Sequence, residues 1–413
     1  MSNSNNMLVI MSGGTTTVIN ATLAGIVDQA KQTNGIEKVI AGIPGINGVL
    51  DGAFLDLTSI EKQDILRLSK TPGSSITGTT RVAMLTPKDL EALRKRFIEN
   101  NIGMFINIGG NGTIKQTKLI SQNIDNYIRI AAAPKTVDND LGDSECKDVF
   151  FTPGFPSCVN HWVKAIQLLN IENIGSYSHD KVLVAQTFGR ETGFIAGSVR
   201  IVDPNRKLPL LILLPEDPQS IDNILNAIDS MIVKHRRAIV VVSEGYPIGD
   251  IGEKKDLTGQ TMFGSSDTTS AQLLVTLLNK HGIQARSYIP TVLQRQDFES
   301  TLNFDRSIAY MQGADIVKRM DSGESSFLSS ISAPNLSQNE SVSNNITAIK
   351  FDSFDDYSRS LNDKFIMKGS FDVSDLYINY LNSLFKVSDF EKCFTSYNNQ
   401  FISQKKVQEF YNG

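Results

Sequence analysis

The sequence predicts an α/β protein built on open parallel β-sheets, an expectation carried by three features. Short apolar runs recur along the chain, at 7–11, 104–108, 128–133, 181–186, 210–214 and 238–242. Runs of this length without polar alternation read as strands buried on both faces, the habit of parallel sheets. Several stop at a turn rich in glycine and hydroxyl groups. That turn then opens a helix, giving the strand, turn and helix order of βαβ units.

The first run, 7–11, leads through Ser12-Gly13-Gly14-Thr15-Thr16-Thr17 into a helix over 18–32. Backbone donors and the positive end of a helix dipole meet there, although such turns are common in any α/β protein. Residues 36–48 hold a second strand and, through Gly42, Gly45 and Gly48, read as a loop at the sheet edge. A polar loop over 71–81 ends in Arg81. Its glycines and hydroxyls favour a phosphate clamp over a merely exposed charge. A helix over 86–100 carries Leu90, Leu93 and Phe97 on one face and leads into the central stretch, 103–140.

In that stretch the strand at 104–108 stops at Gly109-Gly110-Asn111-Gly112-Thr113, where missing side chains let backbone N–H groups approach an anion. The strand at 128–133 runs into Pro134-Lys135-Thr136-Val137-Asp138-Asn139-Asp140, which gathers a cation, a hydroxyl and two carboxylates. Ligands of open α/β sheets bind at the carboxyl ends of strands, so both loops are expected to face one crevice. Phosphoryl transfer is mostly positioning and neutralisation of charge on the moving oxygens. These residues supply its parts, with Asp138 as the general base beside Lys135 and Thr136. A lone Asp there would read as a turn former. Two carboxylates at alternate positions beside a lysine favour the chemical role.

At 151–155 the chain crosses into a second domain, where the strand, turn and helix logic repeats. A helix carries His161 and Trp162; His161, His179, His235 and His281 are given no role. The strand at 181–186 ends at Thr187-Phe188-Gly189-Arg190-Glu191-Thr192-Gly193, a glycine turn holding a guanidinium. The next two strands end at Pro215-Glu216 and Ser243-Glu244-Gly245, and 286–295 reads as a further strand with an arginine at each end. Residues 321–345 are dense in Ser and Asn and read as a long loop. The tail over 346–413 regains aromatic character at Phe351, Tyr357, Tyr377, Tyr380 and Phe385, and is expected to pack on the body or at a subunit contact.

With 413 residues there is room for two domains, and the net charge of -4 argues against a nucleic-acid partner. The run Lys234-His235-Arg236-Arg237 reads as a solvated helix end. Cys146, Cys158 and Cys393 lack metal-like spacing and leave one thiol over, which fits a reducing cytoplasm. Neither a secretory signal nor a stretch of membrane-spanning length is legible. An NAD-type site is disfavoured because no G-x-G-x-x-G with a following ribose-binding acid is present.

The motifs SGGTTTVIN (12–20), PGSSITGTTR (72–81), GGNGT (109–113), PKTVDNDL (134–141), TFGRETG (187–193), SEG (243–245) and VLQR (292–295) follow one another as in the phosphofructokinase family. Each is loose alone; together they resemble that family specifically, over about 7–313. The details are closest to its longer, pyrophosphate-type branch. The resemblance implies two Rossmann-like domains with a C-terminal extension: a donor-binding domain at 1–143, completed by 297–320, and a sugar-phosphate domain at 144–296. The loop at 321–345 and the extension at 346–413 follow.

The implied activity is phosphoryl transfer from ATP or pyrophosphate to the 1-hydroxyl of fructose 6-phosphate. Asp138 would take the hydroxyl proton, with Thr136 and Asp140 beside it and Lys135 on the moving phosphate. Gly13, Arg81, Gly110, Asn111, Gly112 and Thr113 would hold the donor. Phe188, Gly189, Arg190 and Glu244 would hold the sugar, and Arg295 its 6-phosphate. Lys181 and Arg286 would complete that pocket across a subunit boundary, which implies a homodimer or homotetramer. Mg2+ would rest on Asn111, Asp138 and Asp140.

The departures from the family pattern also matter. Asn111 is neutral where the family usually has Asp, so metal affinity is expected to be weaker. Gly112 leaves room for a nucleotide's α-phosphate and favours ATP, whereas Lys135 favours pyrophosphate. The positions that often stack on adenine are Pro44 and Val82, which argues against ATP. Val292, Gln296-Asp297-Phe298 and Glu191 depart from the acceptor pattern. They leave open a different sugar phosphate or a catalytically weakened regulatory subunit of the same fold.

Overall fold

The computed structural model describes residues 5–81, 84–256, 259, 261–334, 345–353 and 358–385. The chain begins β1 (Asn6–Met11), α1 (Ile19–Ala30), β2 (Val39–Gly42), α2 (Gly45–Asp51), β3 (Phe54–Asp56), α3 (Lys62–Lys70) and α4 (Pro87–Glu99). The central stretch forms β4 (Ile102–Gly109), α5 (Asn111–Asn123) and β5 (Arg129–Pro134). There follow α6 (Phe155–Ser176), β6 (Val182–Thr187), α7 (Phe194–Ser198), β7 (Leu210–Leu213), α8 (Ile221–His235), β8 (Ala238–Ser243), α9 (Ser270–Lys280) and β9 (Ala285–Tyr288). The chain continues with α10 (Asn303–Asp321), β10 (Phe327–Ile331), β11 (Ile346–Lys350) and α11 (Asp375–Phe385).

Two sheets organise the molecule. The first has seven strands in the order β11-β10-β5-β4-β1-β2-β3, with antiparallel edges at β10–β11 and β2–β3 and parallel pairing between. The second has four, β7-β8-β6-β9, all parallel. All eight residues of β4 are buried because both faces of the sheet are covered. Met7, Val9 and Met11 pack with α1 on one side, while Leu8 and Ile10 pack with Leu93 and Phe97 of α4 on the other. Residues of opposite parity therefore enter different cores, which is why the run is uniformly apolar.

α10 returns from the second sheet to lie along α1. A Cβ on Gly25 would stand 1.9 Å from the Tyr310 carbonyl oxygen, and one on Gly313 2.1 Å from that of Thr22. Only glycine lets these two backbones approach so closely. In the first sheet the strand order reverses between β1 and β4; in the second, β6 connects toward β7 and β8 toward β9, so the reversal lies between β6 and β8. Such switch points open crevices at the carboxyl ends of strands.

Three local readings of the sequence are corrected. Gly45 and Gly48 lie in the short helix α2 rather than in a loop. The strand expected over 286–295 stops at Tyr288; Pro290 lacks an N–H for the ladder, and Thr291–Arg295 is a 3-10 turn instead. Within 321–345, Phe327–Ile331 is a fully buried strand between β5 and β11. Its two serines made it resemble a loop, yet Ser330 Oγ donates to the Asp148 carbonyl. The aromatic tail is divided: Phe351, Tyr377, Tyr380 and Phe385 are buried against the body, while Tyr357 and 386–413 lie outside the described residues. Among the described residues no helix is long and apolar enough to cross a membrane.

Candidate active site

The two switch points face one crevice of about 910 Å3, at the upper end of the range usual for ligand pockets. From the first sheet it is lined by Gly13 and Gly14 after β1, Gly110–Thr113 after β4, and Lys135–Asp138 with Asp140 after β5. From the second sheet come Phe188 and Arg190 after β6, Glu244 after β8, and Val292 and Arg295 of the 3-10 turn after β9. Arg81 also lines it. Of the residues singled out in the sequence, Gly189 is the hinge of the Arg190 turn, with φ +128°, and its missing Cβ leaves room for the Thr192 carbonyl.

Lys135 and Asp138 are held by the ends of their own strand. Lys135 is 2% exposed; its Nζ donates to the Ser12 carbonyl at 3.2 Å and also to that of Gly14. Burial and the nearby Arg295 pull its pKa down to about 7, although Asp138 pulls the other way. Burial raises the Asp138 carboxyl above the ordinary range, opposed by Arg190, Arg295 and Lys135. Arg190 Nε stands 3.7 Å from Asp138 Oδ2. Asp140 is pushed up to about 6 by burial and by the Asp138 charge. Glu244 is pushed up to about 8 by burial, and its Oε1 accepts the Arg190 backbone N–H at 3.2 Å. Arg295 lies over the Phe188 ring at 5.4 Å and its Nε is buried without a partner.

The β4 turn is different in character. Asn111 Nδ2 donates to the carbonyl and to Oδ2 of Asp140, at 3.0 and 2.8 Å, while its own Oδ1 is buried and unpartnered. A Cβ on Gly112 would meet nothing within 4 Å, so the crevice stays open beside it. It continues past Lys115 and Leu119 on the outer face of α5.

Lys181 and Arg286 are not brought to this crevice. Lys181 precedes β6, roughly 20 Å from the carboxyl edge of that six-residue strand, and Arg286 stands near the amino end of β9, level with Leu183. Arg286 is exposed and pairs with Asp180 at 2.7 Å. Pro44 is not among the lining residues, and Val82 lies outside the described ones. Asp297, one of the departures, is engaged by His161 at 2.9 Å, which with Ser300 holds it down at about 2.

An arm between β8 and α9 went unread in the sequence. Lys255 bridges Thr261, and Met262 N donates to the Lys254 carbonyl at 2.7 Å, so the arm pairs with itself. It brings Met262 and Phe263 to the crevice and sets Asp256 3.6 Å from Arg81. Its polar composition carries no period from which this reach could be inferred.

The phosphofructokinase family model matches residues 6–320. The chain belongs to the phosphofructokinase family. A pyrophosphate–fructose 6-phosphate 1-phosphotransferase of Rhodospirillum rubrum is 29% identical over 246 residues, 58% of this chain and 58% of that protein. An ATP-dependent 6-phosphofructokinase 3 of Streptomyces coelicolor is 30% identical over 323 residues, 76% of this chain and 87% of the other. The crystal structure of a pyrophosphate-dependent phosphofructokinase from Nitrosospira multiformis superposes with a TM-score of 0.79 at 25% identity, covering 92% of both chains. The chain thus spans little more than half of the Rhodospirillum protein in sequence and nearly all of the Nitrosospira protein in structure. Relatives named for either donor match this member of the phosphofructokinase family, so the name alone does not choose between ATP and pyrophosphate.

Proposed function

We propose that the protein is a 6-phosphofructokinase-type phosphotransferase, moving a phosphoryl group from ATP or pyrophosphate to the 1-hydroxyl of fructose 6-phosphate. One observation carries the reading: Lys135, Asp138, Arg190 and Arg295 converge with the Gly110–Thr113 turn in a single crevice between two sheets. The sugar rests on Phe188, Gly189, Arg190 and Glu244, with its 6-phosphate on Arg295. The donor lies along Gly13, Arg81 and the β4 turn. As the 1-hydroxyl oxygen bonds to the terminal phosphorus, the bond to the bridging oxygen breaks and its electron pair leaves with ADP or phosphate. Asp138 takes the hydroxyl proton, a role worth about 10²–10⁴ in rate. Thr136, whose hydroxyl accepts the Asp138 backbone N–H at 3.2 Å, steadies the loop. Lys135 and the guanidinium groups offset charge on the transferring oxygens. Glu244, whose carboxyl burial pushes up to about 8, holds a sugar hydroxyl.

Mg2+ takes oxygen ligands and is commonly held by one or two carboxylates together with substrate phosphates. Asp138, Asp140 and the unpartnered Asn111 Oδ1 fit such an ion, and no cluster of three or more His, Cys, Asp or Glu that could hold a metal occurs among the described residues. When bound, Mg2+ would supply neutralisation of the donor phosphates. The open space at Gly112 supports ATP; the buried Lys135 suits either donor. Lys181 and Arg286, at the far edge of the second sheet, suit a homodimer or homotetramer in which one copy completes the 6-phosphate pocket of the next. Such an enzyme would work in the cytoplasm.

The test is purified protein with fructose 6-phosphate and Mg2+, comparing ATP and pyrophosphate by the appearance of fructose 1,6-bisphosphate. Turnover with at least one donor is expected, and faster with ATP. Absence of product from both would overturn the reading in favour of another sugar phosphate or a regulatory subunit.

A further inference from the structure

Asn139 separates the two carboxylates of the β5 loop, is fully buried, and has φ +55°. Asparagine tolerates that left-handed conformation better than most residues, but something must select it over the extended alternative. The partners of Asn139 come largely from one place. Its Nδ2 donates to Tyr380 Oη at 3.1 Å, its Oδ1 accepts from Arg359 Nη2 at 2.8 Å, and its carbonyl accepts from Arg359 Nε at 2.8 Å. The Arg359 backbone N–H donates to the Asp140 carbonyl at 2.8 Å, and Ser358 bridges Leu141. Within the body, Thr152 N adds a bond to Asn139 Oδ1 at 3.1 Å.

Arg359 is 4% exposed, and a buried cation is tolerated only when well hydrogen-bonded. Its other donor, Nη1, reaches the carbonyls of Val149 and, at 3.3 Å, Asp143, so the whole guanidinium faces this loop and its continuation. Tyr380 Oη in turn donates to the Phe150 carbonyl at 2.7 Å. Both residues belong to the C-terminal extension, beyond the stretch matched by the family model.

We propose that Arg359 and Tyr380 are positioning residues for phosphoryl transfer: from the extension they fix Asn139 in its left-handed turn and so keep Asp138 and Asp140 aimed into the crevice. The proposal rests on the reading that these two carboxylates face the reacting groups. A contact that merely fastens the extension would contribute to overall stability and leave the loop's own order and the chemical step unchanged.

The experiment compares Arg359→Met and Tyr380→Phe with the unaltered full chain, well below their unfolding temperatures. Tyr380→Phe keeps the ring packed on Phe150, 5.2 Å away, and removes only the hydroxyl, so it decides the matter if Arg359→Met fails to fold. Hydrogen exchange is read at the amides of 138–141, with β4 and β5 as internal reference. Exchange in the loop is expected to quicken about tenfold or more, with β4 and β5 unchanged; a loop that exchanges no faster in either soluble variant overturns the proposal. Steady-state kinetics give the second readout. A fall in kcat of at least about threefold in Tyr380→Phe, with both KM values within twofold, is expected, and unchanged kcat or an effect confined to KM overturns it. Exchange is measured whether or not the protein turns over, so failure of the phosphotransferase reading is distinguishable from failure of this one.

Discussion

The loops after β4 and β5 are adjacent in the sheet and face the same crevice, yet they are built in opposite ways. The β5 loop is held along its length: Lys135 by the carbonyls of the β1 turn, Thr136 against Asp140, and Asn139 by Arg359 and Tyr380. The β4 turn leaves space at Gly112 and a buried oxygen of Asn111 without a partner. A loop that moves protons must keep its groups within hydrogen-bond reach of the substrate. A turn that receives phosphate needs mainly backbone donors and room. The contrast fits the proposed division, with chemistry in one loop and choice of donor in the other.

The largest effect is expected from removing the proposed base. Asp138→Asn should lower kcat by about 10³ with either donor, since a positioned base is worth about 10²–10⁴. Calorimetric binding of fructose 6-phosphate should stay within a few-fold. Retained turnover would break the division of labour on the β5 side.

A smaller effect, of about tenfold, is expected at Gly112. The glycine is exposed and its neighbourhood empty, so Gly112→Asp should fold normally. Its carboxylate would fill and charge the space beyond the terminal phosphates, lowering kcat/KM for ATP while changing that for pyrophosphate by less than about threefold, in line with like-charge repulsion near a partly buried site.

A third effect is a pH dependence. Lys135 has a folded-state pKa of about 7, and an anionic donor favours its charged form. Below pH 7 the charge is already present; above it, donor binding must take up a proton, and affinity falls by up to about tenfold per pH unit. Asp140, at about 6, and Glu244, at about 8, titrate nearby and weaken anion binding in the same direction. The comparison that isolates Lys135 is therefore the pyrophosphate Kd of the unaltered protein against Lys135→Met, from pH 6 to 9. The variant should lose the steep part of the dependence; identical slopes would show that Lys135 does not meet the phosphates.

What could be read in the sequence was what lies close along the chain. The β4 and β5 strands are unbroken apolar runs, and Lys135, Asp138 and Asp140 fall within six residues, so topology alone carries them to one edge. Arg359 and Tyr380 stand 220 and 241 residues from Asn139, and no periodicity announces a contact at that range. Asp256 reaches Arg81 across 175 residues of chain. β10 was hidden for another reason. Ser329 and Ser330 are fully buried in it, and serine in place of a β-branched residue removes the signal by which strands are recognised. Lys181 and Arg286 were legible as residues, but their position at the opposite edge becomes evident only once the parallel register is known.

The most direct measurement sets the two loops against each other in one experiment: kcat/KM with ATP and with pyrophosphate for the unaltered protein, Asp138→Asn and Gly112→Asp. The division described above predicts that Asp138→Asn loses both activities together and keeps their ratio, while Gly112→Asp keeps activity with pyrophosphate and shifts the ratio away from ATP by about tenfold, as expected of a change in donor space rather than chemistry. An Asp138→Asn protein with an altered donor ratio, or a Gly112→Asp protein that loses both donors equally, would contradict it.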